Sequence, residues 1–236
     1  MFCENFFTSN SNTEKEKNAM AKKEETVVEI RPLDIKRVKI RIVGDSPLIV
    51  HAWSEKAKRM MLETQMKTTK TKGKPVRDPY DDFIQSLYWL EGKPEESTPE
   101  DFEKAVKNGA KWGFPVGAIK QAGNSAAYRM GWVKNQMTLR GSYFLQTEYG
   151  EMAEIQGTVP EMREDMVRVG MGTADLRYRG EFKNWHMDMT LEYNASADMT
   201  LEQILNVINA GGYTVGIGEW RPEKDGSFGK YHIETI

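Results

Sequence analysis

The chain has 236 residues, of which 39% are hydrophobic and 29% charged, and its 33 basic residues nearly balance 35 acidic ones. This length is sufficient for one large domain or two small ones with a real core. The single cysteine, Cys3, excludes a disulfide framework and a cysteine-based metal site. This cysteine usage fits a protein of the reducing cytosol. No apolar run approaches the roughly 20 residues of a membrane span, so we expect a cytoplasmic protein with no membrane partner.

The N-terminal part differs in composition from the rest of the chain. Residues 1–26 are polar and contain few aliphatic side chains after Phe7, which predicts a disordered tail. A single domain is expected over residues 27–236. Its first strand is indicated near Val38, where apolar and basic residues alternate with the period of a half-buried strand.

Capping residues and prolines mark the first helices. Ser54, Asp78 and Thr98 are suitable N-caps, and the last two are each followed by a proline, which is favoured in the first helical turn. These signals predict helices over residues 54–66, 78–90 and 98–108.

A fourth helix is predicted to begin after Phe114-Pro115. Its small apolar face contains Ile119, Ala122 and Ala126, which suits close packing. Two polar columns at spacing four lie beside this face: Lys120, Asn124 and Tyr128 in one, and Gln121, Ser125 and Arg129 in the other.

The second half of the chain shows strands and one further helix. A strand is predicted over residues 137–146, an irregular or hairpin-like insert over 147–180, and a strand over 184–194, where apolar and polar residues alternate. Thr200 and Gln203 form a capping-box sequence that starts a helix. The pair Gly211-Gly212 is expected to end that helix, and a last strand is possible after Phe228.

The order of these elements predicts the fold class. Strands and helices alternate as strand, helices, strand, strand, helix and strand, which is typical of α+β proteins. Split strand–helix–strand units further favour an RRM-like or ferredoxin-like antiparallel sheet with helices on one face, to which a basic loop and the hairpin-like insert are added.

The segment from Lys56 to Arg77 is strongly basic. It contains eight lysines and arginines and one acid, Glu63, and a local net charge of this kind attracts phosphates. Lys67, Lys70, Lys72 and Lys74 are its candidate nucleic-acid contacts. A solvated, mobile loop is the alternative interpretation, because most runs of charge are solvated surface.

A second basic group lies in the insert. Arg177 and Arg179 flank Tyr178, and Arg163 and Arg168 precede them. Arginines interleaved with an aromatic residue suit single-stranded nucleic acid, because bases stack on rings while guanidinium groups bind phosphates. The nearby acids leave an ordinary mixed surface as the alternative.

The C-terminal segment is rich in glycine. Gly216, Gly218, Gly226 and Gly229 permit backbone conformations with positive φ and close approach of another backbone. Loop amides presented in this way bind phosphate oxygens, and the adjacent Trp220 and Arg221 could stack on a base or pair with a phosphate. The segment follows a helix and opens none, which excludes a dinucleotide-binding fingerprint. A glycine-rich hairpin without a ligand is the alternative.

The sequence gives no argument for catalysis, a metal or a cofactor. His51, His186 and His232 show no metal-ligand spacing, and no nucleophile or nucleotide-phosphate motif is present. We therefore predict no catalytic residues, no metal and no cofactor. The alternative is a general acid–base role for one of the three histidines.

Three segments, taken in order, resemble one family. They are IRIVGDSPLIV at 40–50, FPVGAIKQAGNSAAYR at 114–129 and GGYTVGIGEWRPEKDGSFGKY at 211–231. In this order they look like the RAMP superfamily of CRISPR-associated proteins, especially its backbone subunits. The resemblance covers residues 36–233. A divergent relative from a phage or mobile element is equally compatible with it.

The resemblance implies an RRM-like ferredoxin fold that binds single-stranded RNA and often forms helical filaments. It matches Lys120 to the helix lysine of the family, and Gly216, Gly218, Gly226 and Gly229 to its glycine-rich loop. Lys120 and Arg129 would hold the backbone of the nucleic acid together with the basic segment, and Trp220 or Tyr178 would stack on bases.

The sequence-based hypothesis is therefore a non-catalytic protein that binds single-stranded RNA or DNA and assembles as a homo-oligomer or filament along the strand. Two alternatives stay open. One is a metal-independent endoribonuclease of the RAMP type, and the other is a structural or interaction subunit without nucleic-acid binding.

Overall fold

The computed structural model of the protein describes residues 32–53, 55–66, 77–170 and 172–236. Residues Leu33–Ile236 form one compact unit. The tail predicted over residues 1–26 lies outside the described residues. Within them, no helix is both long and apolar enough to cross a membrane.

The described chain is an α+β structure. Its strands are β1 (Ile35–Gly44), β2 (Leu48–Val50), β3 (Trp89–Glu91), β4 (Lys111–Pro115), β5 (Tyr143–Gln146), β6 (Met152–Gly157), β7 (Glu161–Val169), β8 (Thr173–Phe182), β9 (Trp185–Asn194) and β10 (Tyr231–Thr235). Its helices are α1 (Glu55–Gln65), α2 (Pro79–Ser86), α3 (Pro99–Lys107), α4 (Val116–Arg129), α5 (Met137–Arg140) and α6 (Leu201–Thr214), with a short 3₁₀ turn over Pro222–Lys224.

Seven strands form the main sheet in the order β10-β1-β9-β6-β4-β3, with β5 also pairing with β9. Both β5 and β6 lie along the same edge of β9, β5 beside residues 190–193 and β6 beside residues 185–186. A smaller sheet has the order β2-β8-β7. Every described strand pairing is antiparallel.

Strict alternation along β9 separates the core from the outer face of the main sheet. Its residues from Trp185 to Tyr193 at every second position are buried, and the intervening ones are half-buried, as predicted from the period of two. On β1, Ile40 and Ile42 are fully buried against the same core. On the outer face, Arg37 pairs with Glu192.

The predicted helix starts at Asp78, Thr98 and Thr200 are confirmed. The Asp78 carboxylate accepts hydrogen bonds from the Tyr80 and Asp81 amides at 2.9 and 3.3 Å. Thr98 caps α3 through the amide of Asp101, and the capping box of α6 is complete. These side chains satisfy amides that have no acceptor within the helix.

The helix predicted over 78–90 is too long, because α2 ends at Ser86. Trp89 pairs with Trp112 in the β3–β4 ladder, and its indole N–H donates to the carbonyl of Ile84. Neither this strand nor β4, which contains the Phe114-Pro115 entry to α4, was predicted. Pairing between distant segments overrides the local helical pattern here.

The strand predicted over 137–146 is correct only in its second half. Met137–Arg140 forms the single turn α5, because the Asn135 side chain accepts a hydrogen bond from the Met137 amide and starts a turn. The predicted insert over 147–180 contains two different elements. Its first strand, β6, joins the main sheet, while β7 and β8 form a long hairpin that β2 extends.

The prediction that Gly211-Gly212 ends α6 is wrong, because both residues lie inside the helix and are buried. A β-carbon at Gly211 would lie 2.5 Å from the nitrogen and 2.7 Å from the Cα of Gly123 in α4. A β-carbon at Gly212 would overlap the carbonyl of Tyr231 in β10. The glycines therefore permit close packing of α6 against α4 and β10, and the helix continues to Thr214.

This packing predicts the effect of one methyl group. Gly211→Ala should lower the free energy of unfolding by about 1–3 kcal/mol, because the added carbon forces α4 and α6 apart. Gly117→Ala, on the exposed side of α4 with no atom within 4 Å of its β-carbon, is the matched control and should be neutral or slightly stabilising. Urea unfolding of both variants would measure the difference, and equal stabilities would contradict the packing argument.

Candidate nucleic-acid interface

Two clefts meet at His51, which directly follows β2. The first, here called the loop cleft, has a volume of about 240 Å³ and lies between α4 and the glycine-rich segment after α6. Its polar lining is formed by His51, Tyr88, Gln121, Ser125, Glu219, Arg221 and Glu223, and the backbone of Gly216 and Gly218 closes one side. Two polar residues of one α4 column therefore face the loop that the sequence singled out.

The second, here called the hairpin cleft, has a volume of about 290 Å³ and shares His51 as a wall. Trp53, Arg77, Arg177 and Tyr178 line it. Trp53 is 62% exposed, and the Arg77 guanidinium lies 5.8 Å from the centre of the Tyr178 ring. This cleft thus places aromatic rings beside guanidinium groups.

The start of the glycine-rich loop is held against β2. Gly216 and Gly218 have φ values of 67° and 76°, a region that side chains other than glycine rarely adopt. The Glu219 amide donates to the carbonyl of Ile49 at 2.9 Å. A side chain at Gly218 would collide with this carbonyl, so glycine is required for the close approach of the two backbones.

The later glycines also have structural partners. The Gly229 amide donates to the carbonyl of Pro47 at 2.8 Å, and the Gly226 amide donates to that of Arg221 at 3.1 Å. The Gly216 amide donates to the carbonyl of Gly211 at 2.8 Å. Three of the four candidate glycines therefore already use their amides within the protein. Gly226 and Gly229 do not belong to the lining of either cleft.

Trp220 occupies an unusual backbone conformation next to the loop cleft. Its φ is 51°, which costs energy for a residue with a bulky side chain. The Trp220 carbonyl accepts the Phe228 amide at 3.1 Å, and the indole is partly exposed. The folded loop therefore holds this ring at the surface.

Glu223, which lines the loop cleft, joins two candidate arginines. Its carboxylate pairs with Arg221 at 2.7 Å and with Arg129 of α4. Hydrogen bonding to Arg221 and the charges of both arginines lower the pKa of Glu223. The guanidinium of Arg221 also donates to the Gly218 carbonyl at 3.1 Å. The two ion pairs with Glu223 thus hold Arg221 of the loop close to Arg129 of α4.

Glu219 lies between His51 and Arg179. Its carboxylate is 3.4 Å from Nδ1 of His51 and 3.7 Å from the Arg179 guanidinium. Its interaction with His51, and then the charge of Arg179, lower the pKa of Glu219. Arg179 is only 6% exposed and also pairs with Asp165 at 3.2 Å. It therefore holds the Glu219 carboxylate in place without lining the cleft itself.

Lys120 is not brought to the loop. Its ammonium donates to the carbonyl of Arg140 at 2.7 Å and lies 4.4 Å from the centre of the Phe144 ring, and burial lowers its pKa. Lys120 and Asn124 therefore face α5 and β5, while Gln121 and Ser125 face the loop cleft. The candidate lysines Lys67, Lys70, Lys72 and Lys74 lie outside the described residues.

Sequence reasoning missed the polar side chains that build the loop cleft. Tyr88, Glu219 and Glu223 were not singled out, and His51 was considered only as an acid–base residue. Gln121 and Ser125 carried a signal, because they recur at spacing four beside an apolar face. The sequence alone does not show where the loop lies relative to that column.

No group of three or more histidine, cysteine, aspartate or glutamate side chains within the described ranges is arranged to hold a metal ion. No protein-family model and no curated protein matches this sequence.

The Glu223 ion pairs predict a pH dependence of stability. The ordinary pKa of Glu223 is 4.5 and the folded value is lower, so the stabilisation is present above pH 4.5 and is lost as the pH falls through the folded pKa. Glu223→Gln should therefore be less stable than the wild type at pH 7 by about 0.5–1 kcal/mol. The difference should shrink below pH 4.

Denaturant unfolding of both proteins at pH 7, 5, 4 and 3.5 would measure this difference. A difference that stays constant over the whole range would show that ionised Glu223 is not its source.

Proposed function

We propose that this chain is a non-catalytic protein that binds single-stranded RNA or DNA along the two clefts that meet at His51. One observation carries the proposal: five candidate residues from distant parts of the sequence, Gly216, Gly218, Arg221, Arg177 and Tyr178, line two clefts that share a wall. Guanidinium groups beside exposed rings are the combination that binds backbone and bases of a single strand.

The strand order supports a ferredoxin-like core as part of this proposal. The connection from β1 through α4 leads to β5, and the one from β9 through α6 leads to β10. Both β1 and β5 pair antiparallel with β9, while β9 and β10 pair antiparallel with β1. Each pair of parallel strands is thus separated by a strand of the other unit, which is the arrangement of split strand–helix–strand folds. Membership of the RAMP superfamily, or of a divergent phage or mobile-element branch, is proposed on this basis and on the three sequence segments.

The groups that would contact phosphate are side chains. Arg177 at the hairpin cleft and Arg221 and Arg129 at the loop cleft are partly exposed, whereas most of the glycine amides are already engaged. The candidate lysines Lys67, Lys70, Lys72 and Lys74 follow α1 in the sequence, after Met66, and would extend the contacts. Arg179 and Lys120 would act in support, through Glu219 and the carbonyl of Arg140.

Self-assembly along the strand is the second part of the proposal. Exposed apolar side chains occupy α1 and its flanks, including Met60, Leu62 and Met66, and such a surface is typical of a protein–protein contact. Sedimentation velocity with and without an oligonucleotide would test the assembly. A protein that forms oligomers alone and does not bind nucleic acid would be a structural subunit.

Salt dependence gives a direct test of the nucleic-acid contacts. Arg177→Ala should weaken the binding of a labelled single strand and reduce the slope of log affinity against log salt by about 0.7, because one phosphate contact is lost. The affinity of the wild type should fall steeply as salt rises. Fluorescence anisotropy over 50–300 mM salt, about the range in which such slopes are determined, would measure both.

The matched control is Arg37→Ala. Arg177 is paired with one carboxylate, that of Asp175. Arg37 is likewise paired with one carboxylate, that of Glu192 on the outer face of the main sheet, and it lines neither cleft. Its removal should leave the affinity and the slope unchanged. Equal effects of the two substitutions would place the bound strand outside the clefts.

The His51–Glu219 pair favours one alternative function, a metal-independent endoribonuclease. Of the three histidines, His51 alone lines a cleft of the proposed interface, while His186 lies 3.0 Å from Gln156 and His232 lies 2.6 Å from Asp45. A carboxylate beside Nδ1 can orient an imidazole for proton transfer.

Under the proposal, RNA incubated with the wild type in a chelator should stay intact. Cleavage that disappears in His51→Ala, but persists in His186→Ala and His232→Ala, would establish the nuclease instead.

A further inference from the structure

We propose that the loop cleft is a base pocket, in which one nucleobase of the bound strand is turned out of the strand and held by Ser125 and Gln121. This inference rests on the proposed function and deepens it, because it assigns base recognition to a cleft that would otherwise contact only phosphates.

Ser125 is the decisive residue. It is only 9% exposed, it lines the cleft, and its hydroxyl makes no hydrogen bond to any residue of the described chain. The hydroxyl is therefore free to pair with a ligand that enters the cleft. A hydroxyl can both donate and accept, so it can pair with the edge of a base.

Gln121 lies one helical turn before Ser125 and therefore on the same face of α4. Its side-chain amide also has no hydrogen-bond partner among the described residues, and it lines the cleft at an exposed position. An amide offers one acceptor and two donors, which is the set of groups that reads the edges of bases in nucleic-acid complexes. Two adjacent polar side chains without a hydrogen-bond partner in the described chain thus suit a ligand with several donors and acceptors.

The walls of the cleft suit a flat ring. Tyr88 lines the cleft, and its ring is held in a T-shaped contact with Phe114 at a centroid distance of 5.9 Å. The hydroxyl of Tyr88 lies 3.4 Å from the carbonyl of His51, which also fixes the ring. Apolar atoms of Ala118 and Ala122 form another part of the lining. Unstacked bases in protein complexes are held by such aromatic and apolar surfaces.

The size and the charges favour a base over a whole nucleotide or a larger ligand. The volume of about 240 Å³ is below the range of about 300–1,000 Å³ in which drug-sized ligands bind. Glu219 and Glu223 keep their negative charge because neighbouring cations lower the pKa of each. The carboxylate of Glu219 repels a phosphate from the side of the cleft beside His51, while the guanidinium of Arg221 attracts it to the side beside Glu223. A base would therefore enter, and its phosphate would stay outside.

The test compares four DNA homopolymers and the corresponding RNA homopolymers of equal length in fluorescence anisotropy. The wild type should prefer at least one base over the others. Ser125→Ala and Gln121→Met should each reduce that preference by about 2- to 10-fold, the loss expected for one hydrogen bond. Their affinity for the disfavoured homopolymers should stay nearly constant. Ser125→Ala removes no internal hydrogen bond and should fold normally.

The matched control is Gln136→Met, which changes a half-buried glutamine that lines neither cleft. It should leave the preference unchanged. Equal binding of all homopolymers by the wild type, or cleft variants that behave like Gln136→Met, would overturn the base pocket and leave the proposed function intact. No binding of any homopolymer at low salt would overturn the proposed function and the base pocket together.

Discussion

The contact between α4 and α6 is the constraint on which the candidate interface depends. The two helices touch through backbone atoms at Gly123 and Gly211, with no side chain between them, and Gly212 brings α6 equally close to β10. Helices that touch in this way have no freedom to move closer, and any added atom drives them apart. The loop that leaves α6 therefore starts at a fixed distance from α4, and Gln121 and Ser125 of α4 line the loop cleft together with this loop.

The interface combines cations with carboxylates, as expected for a chain whose total charge is close to neutral. Glu223 positions Arg129 and Arg221 together, and Glu219 holds His51 and the buried Arg179. Such pairs reduce the attraction for a polyanion, because a phosphate must compete with a carboxylate for each guanidinium. They also keep the arginines in place when no ligand is bound, so less conformational entropy is lost on binding.

Local signals in the sequence were sufficient for the elements whose structure depends on nearby residues. The alternation of β9, the caps at Asp78 and Thr98 and the capping box of α6 act over a few residues, and each was found. The α+β class followed from the order of these elements. The long hairpin and β6 were expected only as one irregular or hairpin-like insert, because the pairing of β6 with β4 and β9 and of β8 with β2 depends on partners far away in the sequence.

The errors share a physical cause. Gly211-Gly212 has the composition of a helix end, but these two glycines allow contact with another backbone, which only the folded chain reveals. Lys120 belongs to the polar side of α4, yet its ammonium reaches the carbonyl of Arg140. The candidate site was predictable where the chemistry is carried by residue type, as for Arg177, Tyr178 and Arg221, which line the two clefts. It was not predictable where it depends on which column of α4 faces the loop.

The backbone contact between Gly123 and Gly211 has a consequence for the way in which mutations affect ligand binding. Substitutions that alter ligand binding need not lie among the residues that touch the ligand, because a methyl group in the interior of this helix pair would change the width of a surface cleft. A random mutagenesis screen for altered binding should therefore return interior glycines as well as surface arginines. The two classes would be separated by thermal stability, which the first lowers by more than the second.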